Sequence, residues 1–355
     1  MDGDDGIFID WLSLWQFHEQ HAPINSGAII TYDGSGRAVF ERYRSSRIQG
    51  SHATGCAVKS DGQTVVGSGN FGRLNRPDNL FGFDPQTVLR RANEALAFAG
   101  LPRFVSAADS RDGGDWYKEG LRYPGAVGLV GPGSPQATPR GRLNLSRVDI
   151  TRNFKCGGLA AARSVIRAIS GKSISRVKKG VGGDASVWWS NTRYMLKVYI
   201  KALEMEAHGT NTGAAYDYAV EHGIVRLELE LKRRELADLG WSDFDAFVEA
   251  WDMGKVKQLF ADYEKVLQVG AISNHAEFLD SLPQRLRVTA SAFLAGQDVR
   301  ALMSRSAFYR YRRALLDYGV DIADERPEQL NVAVRTITLE PVAAPDWYWK
   351  NERAA

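Results

Sequence analysis

The sequence predicts an α+β protein: mainly antiparallel sheet flanked by helices, followed by a smaller, mostly helical C-terminal domain. Three observations carry that prediction. Short apolar runs of period two, broken by Asp-Gly and Gly-Ser turns, fill the first hundred residues. Strand-like runs and an amphipathic helix alternate between residues 145 and 232. From about Trp241 onward the apolar spacing becomes helical. A chain of 355 residues has a prior of about two domains. The change of pattern places a boundary near residue 245, giving domains 1–245 and 246–355. The first domain reads as two similar halves, 1–105 and 140–245, joined by a loop rich in Gly, Pro and Asp.

In chain order, residues 7–17 alternate loosely as a strand. Residues 28–32, 38–43, 55–58 and 64–67 read as short strands, with hairpin signals at Asp33-Gly34 and Asp61-Gly62. Residues 85–99 read as a helix with Asp84 as its N-cap. Residues 106–139 read as a long loop. A strand over 145–154 and a helix over 157–170 follow, the latter with Leu159, Val165, Ile166 and Ile169 on one face. Residues 187–189 and 194–201 are strands, joined through Ser190-Asn191-Thr192. Residues 216–221 form a helix and 224–232 a strand. Helical spacing then predicts segments 242–251, 255–269, 275–281, 284–295 and 306–318. A strand over 331–339 and the aromatic tail Asp346-Trp347-Tyr348-Trp349 close the pattern.

Composition excludes several classes. The chain is 44% hydrophobic and 25% charged, as ordinary globular proteins are. It has no apolar run of about 18 residues, so no membrane-spanning helix is expected. The acidic start Met1-Asp2-Gly3-Asp4-Asp5 lacks the basic region of a signal peptide. Cys56 and Cys156 are therefore expected to be reduced, in the cytoplasm. The formal charge of +3 hides an asymmetry. Residues 137–201 carry fourteen Lys and Arg against only Asp149 and Asp184, so the rest of the chain is net acidic. A field of that density attracts a polyanion, and nucleic acid is the expected partner.

Period-two alternation sorts the middle strands into an apolar and a chemical face. Leu196, Val198 and Ile200 oppose Lys197, Tyr199 and Lys201. Val225, Leu227, Leu229 and Leu231 oppose Arg226, Glu228, Glu230 and Lys232. Val148 and Ile150 oppose Arg147, Asp149, Thr151 and Asn153. Neighbouring strands would thus share a surface holding a phenol, lysines and carboxylates. Flanking ammonium groups lower a phenol's pKa and make it nucleophilic. The lysines and Arg226 would hold a phosphodiester, and the carboxylates a hard cation such as magnesium or manganese. Ordinary solvated Lys/Glu pairing on an exposed strand has the same alternation, and spacing alone does not separate the two readings.

The residues resemble a known family. The run Ser186-Val187-Trp188-Trp189-Ser190, followed by residues 196–204 with Tyr199, Lys201 and Glu204, is similar to the Tyr-x-Lys-x-x-Glu segment of the filamentous-phage replication initiators, the gene II/X family. Ser146-Arg147-Val148-Asp149 resembles that family's Ser-Arg-hydrophobic-Asp strand. Gly223-Ile224-Val225-Arg226-Leu227-Glu228 resembles its Gly-hydrophobic-Val-Arg-aromatic-Glu strand. Asn79-Leu80-Phe81-Gly82 and Pro345-Asp346-Trp347-Tyr348 have counterparts in the same order.

The resemblance implies an enzyme that starts rolling-circle replication in the host bacterial cytoplasm. It would nick the plus strand of double-stranded origin DNA, leave a 3′-OH primer, and later rejoin the displaced single strand into a circle. Tyr199 would be the nucleophile, with Lys201 and Lys197 beside it. Asp149, Glu228 and Glu204 would be metal ligands for Mg2+ or Mn2+. Glu230, which shares the sheet face but is not matched to the family's pattern, is a further candidate metal ligand. A host helicase and polymerase are the implied partners. Two alternatives remain: a non-catalytic DNA-binding regulator, and the same chemistry serving a plasmid replicon.

Other signals refine the expectation. None of the six histidines stands two residues from another, so the two-histidine metal motif of a better-known nickase class is absent. Ser170-Gly171-Lys172-Ser173 lacks the upstream glycine of a phosphate loop, so no nucleotide cofactor is expected. Arg176, Lys178 and Lys179, followed by glycines, read as a mobile basic loop over DNA. Arg147, Arg226 and Arg193 complete the expected DNA contacts. Arg310, Arg312 and Arg313, among Phe308, Tyr309 and Tyr311, fit a DNA-binding helix or a packed helix with snorkelling arginines equally well.

Overall fold

The computed structural model describes residues 6–23, 28–49, 55–106, 141–172, 174, 176–267, 279, 282–318, 320–323 and 339–350. The N-terminal strands are β1 (Ile7–Phe17), β2 (Ala28–Tyr32), β3 (Ala38–Tyr43), β4 (Ser46–Gln49), β5 (Gly55–Ser60) and β6 (Thr64–Gly69). Helix α1 (Pro85–Phe98) follows, its first turn closed by Asp84 accepting from the Thr87 N–H at 2.9 Å. Next come β7 (Asn144–Lys155), α2 (Leu159–Ser170), β8 (Lys178–Gly182), β9 (Ser186–Ser190) and β10 (Tyr194–Ile200). Then α3 (Lys201–Ala207), α4 (Ala214–Glu221), β11 (Val225–Lys232), α5 (Arg233–Asp238), α6 (Phe244–Asp252) and α7 (Lys255–Glu264). The chain ends with α8 (Gln284–Leu294), α9 (Arg305–Leu316), β12 (Glu340–Val342) and α10 (Asp346–Lys350).

One antiparallel sheet dominates, in the order β4-β5-β6-β1-β7-β11-β10-β9-β8, with β12 paired to the end of β7. The α+β expectation holds. Apart from β2 and β3, which pair only with each other, the strands of both expected halves join in this one sheet, through the β1–β7 pair. Its apolar face is the core: Leu12, Leu14, Val148, Ile150, Leu227, Leu229, Leu196 and Val198 are all buried. Helix α2 covers it with Ala162, Val165, Ile166 and Ile169. Each large apolar side chain so removed from water contributes roughly 1.5–3 kcal/mol. Helices α6 and α7 belong to the same core through Phe244, Phe247, Val256 and Phe260. The boundary near residue 245 therefore falls ahead of two helices that pack with the sheet. A separate cluster, from Leu282 to Ile322, unites α8 and α9.

Two local differences have plain causes. Strand β4 is only four residues long, too short to show alternation. The expected basic loop at Arg176–Lys179 is partly an edge strand: β8 pairs with β9, and Gly180 lies opposite Trp188, where a Cβ would strike the indole. The helix expected over 275–281 and the strand over 331–339 fall almost entirely outside the described residues, as does the loop over 106–139.

Candidate active site

The register brings the chemical faces together. Across β10 and β11, Lys197 faces Glu228 and Tyr199 faces Arg226. Across β11 and β7, Glu230 faces Asp149, Glu228 faces Thr151 and Arg226 faces Asn153. The polar sides of three central strands thus form one surface, opposite the core.

Tyr199 stands at its centre. Its hydroxyl donates to Glu228 Oε1 at 2.5 Å, and the Lys197 ammonium lies 4.3 Å from its ring centroid. The side chain is only 4% exposed. Burial, reinforced by the Glu228 charge, raises the phenol well above its ordinary range, and Arg226 opposes that rise only in part. The expectation that flanking lysines lower it is corrected: desolvation outweighs them. Glu228 is itself raised, first by burial and then by the nearby Asp10 charge. The pair is a neutral phenol held by a carboxylate of increased basicity.

Asp10 is a site residue that the sequence reading misses. Strand β1 pairs Ile9 with Ile150 and then Trp11 with Asp149, so Asp10 is the extra residue of a β-bulge. Its Oδ1 accepts from the side-chain amides of Asn70 at 2.9 Å and Asn79 at 2.8 Å. The sequence signal is a lone carboxylate within an apolar strand. Asn79 also accepts, through Oδ1, from Lys201 Nζ at 2.7 Å. Lys201 is buried at the first turn of α3 and donates to Glu204 Oε2 at 2.6 Å. Burial, with the Arg226 charge, brings its ammonium down to about 8. Burial alone would push Glu204 up, but Lys201 holds it below the usual range.

The expected ligands and DNA contacts divide into several sets. Asp149 accepts both guanidinium bonds of Arg147, at 2.8 and 2.6 Å, and Glu230 lies 3.1 Å from the same guanidinium. Burial nevertheless raises Asp149 to about 7. Glu228 belongs to Tyr199, and Glu204 to Lys201. Among the described residues, no three His, Cys, Asp or Glu side chains converge as a metal cage. Arg147 is half-buried and stacks 5.0 Å over the Trp11 ring.

Arg226, expected to face DNA, is instead fully buried. It donates to Asn153 Oδ1 and to the carbonyls of Asn79 and Leu80, at 2.9, 2.7 and 2.6 Å. The segment carrying those carbonyls presses so closely on β1 that a Cβ at Gly82 would lie 2.3 Å from the Phe8 ring. Strand alternation places Arg226 on the right face, but it does not show that another segment roofs that face.

The remaining basic residues are peripheral. Arg176 and Lys178 are exposed, and Lys179 donates to the Ser170 carbonyl at 2.8 Å. Arg193 pairs with Glu235 and Asp238 at the far end of β10. In α9, Phe308 and Leu315 are core, Arg312 is bound bidentately by Asp321, and Arg310 and Arg313 are exposed. That helix has a packed face and an outward basic one. Cys56 and Cys156 are free, and burial raises both thiols to about 12. No described helix is long and apolar enough to cross a membrane.

Two family models match the chain. One, described as the N-terminal part of the phage gene II replication-associated protein, covers residues 8–254. The other, described as the C-terminal part of the same protein, covers residues 278–353. The replication-associated protein of the same gene II type from Enterobacteria phage I2-2 is 24% identical over 365 aligned residues, spanning 96% of each chain.

Proposed function

Since this chain belongs to the phage gene II replication-associated protein family, we propose that it initiates phage genome replication by nicking origin DNA through Tyr199. The observation that carries this reading is the short hydrogen bond from the Tyr199 hydroxyl to Glu228, on a sheet face lined with cations. A phenol raised by burial does not wait as phenolate, so its proton must leave during attack. Glu228 is placed to take it as general base.

In this step the Tyr199 oxygen bonds to phosphorus and the bond to the 3′-oxygen breaks. The phenolic proton passes to Glu228. The leaving 3′-oxygen takes a proton from solvent and becomes the primer terminus, while the 5′-phosphate stays on Tyr199. The reverse reaction, with an incoming 3′-OH, rejoins the strand and returns the proton to the phenol. Lys197, above the ring, moves onto the entering phosphate, which opens the way to the hydroxyl. Arg226 fixes the strand end from beneath and does not touch DNA.

A divalent ion fits this donor set in a limited way. Magnesium commonly uses one or two carboxylates, waters and substrate phosphate oxygens. Asp10, held by two amides, and Glu228, whose basicity the Asp10 charge increases, are such a pair. Thr151, opposite Glu228, has a buried hydroxyl with no protein partner. We therefore assign Mg2+ or Mn2+ to Asp10 and to the Glu228 oxygen that the Tyr199 hydroxyl does not use, with Thr151 beside them. When bound, the ion supplies positive charge to the phosphoryl oxygens. Asp149, Glu230 and Glu204 act instead through their cation partners, Arg147 and Lys201.

The substrates in this reading are double-stranded origin DNA and the displaced plus strand, inside the host bacterial cell. A host helicase and polymerase extend the free 3′-OH. The test is covalent adduct formation on supercoiled origin DNA with magnesium. Wild-type chain should give a protein–DNA adduct, and Tyr199→Phe should bind DNA but give none. Binding without adduct by the wild type, in any metal, would instead support a non-catalytic regulator.

A further inference from the structure

The C-terminal tail reaches into the active centre. Strand β12 adds to β7 where β1 ends, pairing Glu340, Pro341 and Val342 with Lys155, Phe154 and Asn153. Asn153 is the residue that holds the Arg226 Nε. Beyond β12, helix α10 buries Tyr348 against the segment that precedes α1. The Tyr348 hydroxyl donates to Asp78 Oδ1 at 2.5 Å. It accepts from the Phe81 N–H at 3.0 Å and from Arg76 Nη2 at 2.9 Å. Asp78 Oδ1 also accepts from the Leu80 N–H at 2.8 Å. The Arg76 guanidinium is enclosed by the rings of Phe83, Tyr348 and Trp349, at 4.9, 5.3 and 5.0 Å.

What this clasp holds is Asn79. Its neighbours on both sides, Asp78 and Leu80–Phe81, are fixed by the Tyr348 hydroxyl, directly or through Asp78. Asn79 itself carries three contacts of the catalytic centre: its amide to Asp10, its Oδ1 from Lys201, and its carbonyl from Arg226. No other single residue among those described joins all three. A displacement of about 1 Å at this point would separate Asp10 and Lys201 from the Tyr199–Glu228 pair, a shift that can cost about a hundredfold in rate.

We propose that Tyr348 is a positioning residue, and that the segment 340–350 closes the nicking site by locking Asn79. The inference rests on the nicking reading for its kinetic consequence, but not for its structural one. It makes the end of the C-terminal family module a working part of the N-terminal module's active site.

The experiment compares full-length wild type with Tyr348→Phe, which keeps the ring and removes only the hydroxyl. Hydrogen exchange at the amides of residues 78–82 should be faster in the variant, while the β10–β11 amides remain unchanged. Single-turnover adduct formation at saturating origin DNA should fall at least about tenfold. The DNA concentration giving half the maximal rate should stay within about twofold, because no DNA contact is lost. A chain ending at Leu339 should be inactive and regain adduct formation with a synthetic peptide of residues 338–355, but less with the same peptide carrying Y348F. Unchanged exchange at residues 78–82 overturns the clasp. So does a Tyr348→Phe rate equal to wild type, or a rate loss confined to DNA affinity. If wild type forms no adduct while exchange at 78–82 still responds to Y348F, the nicking reading fails and the clasp stands as structure alone.

Discussion

Glu228 accepts a hydrogen bond from the Tyr199 hydroxyl diagonally across the β10–β11 pair, with 2.5 Å between the oxygens. The geometry puts the two side chains on adjacent strands of one sheet, so neither needs a loop to bring it into place; in the nicking reading they are nucleophile and base. Because burial raises both groups, the proton rests on the phenol.

Replacing Glu228 with Gln keeps the size and removes the base. Adduct formation should fall by about 10²–10⁴, the usual contribution of a general base. The acidic limb of the rate profile should disappear with it. Origin binding, followed by filter retention at fixed salt, should remain. A Glu228→Gln chain that nicks at the wild-type rate would remove Glu228 from this role.

Arg226 gives a stability prediction. Arg226→Met leaves the Asn79 and Leu80 carbonyls and Asn153 Oδ1 without their donor, inside a closed roof. Breaking such a buried charged set costs about 3 kcal/mol or more. Urea unfolding should show that loss in midpoint. A cost under about 0.5 kcal/mol, the range of ordinary surface changes, would mean the guanidinium is not holding the 79–80 segment.

Asp149 gives a pH prediction with a definite sign. Its carboxyl is raised by burial from the ordinary 3.8 to about 7. The folded chain therefore keeps this proton longer than the unfolded one, and protonation favours folding. That contribution is complete below about pH 4 and is lost as pH rises toward 7. Glu228 acts in the same direction. Asp149→Asn should flatten the fall of stability between those limits, measured by denaturant unfolding across the pH series. An unchanged slope would place the titration elsewhere.

Much of the site is legible in the sequence because strand alternation is rigid. Counting in twos places Tyr199, Glu228, Lys197 and Asp149 on one face, and the register keeps them there. Asp10 escapes because a bulge breaks that count at the one residue that matters. Arg226 falls on the correct face with the wrong role, since its burial comes from Asn79–Gly82, more than 140 residues away in the chain. The direction of the Tyr199 shift is hidden for the same reason. Alternation reports neighbours, whereas the pKa follows how much water the fold removes. Asn79–Gly82 and the tail tyrosine are both visible as sequence blocks, but nothing local says that they touch.

If Tyr199 is the nucleophile, the cleaved 5′-phosphate stays on its side chain, where peptide mass spectrometry would detect it. Wild-type chain would be incubated with origin DNA and magnesium, digested with nuclease and protease, and searched for a nucleotide-bearing peptide. The modified peptide should span residues 198–201, with the phosphate on Tyr199. A phosphate on Tyr194 or any other residue, or cleaved DNA with no linked peptide, would contradict that role.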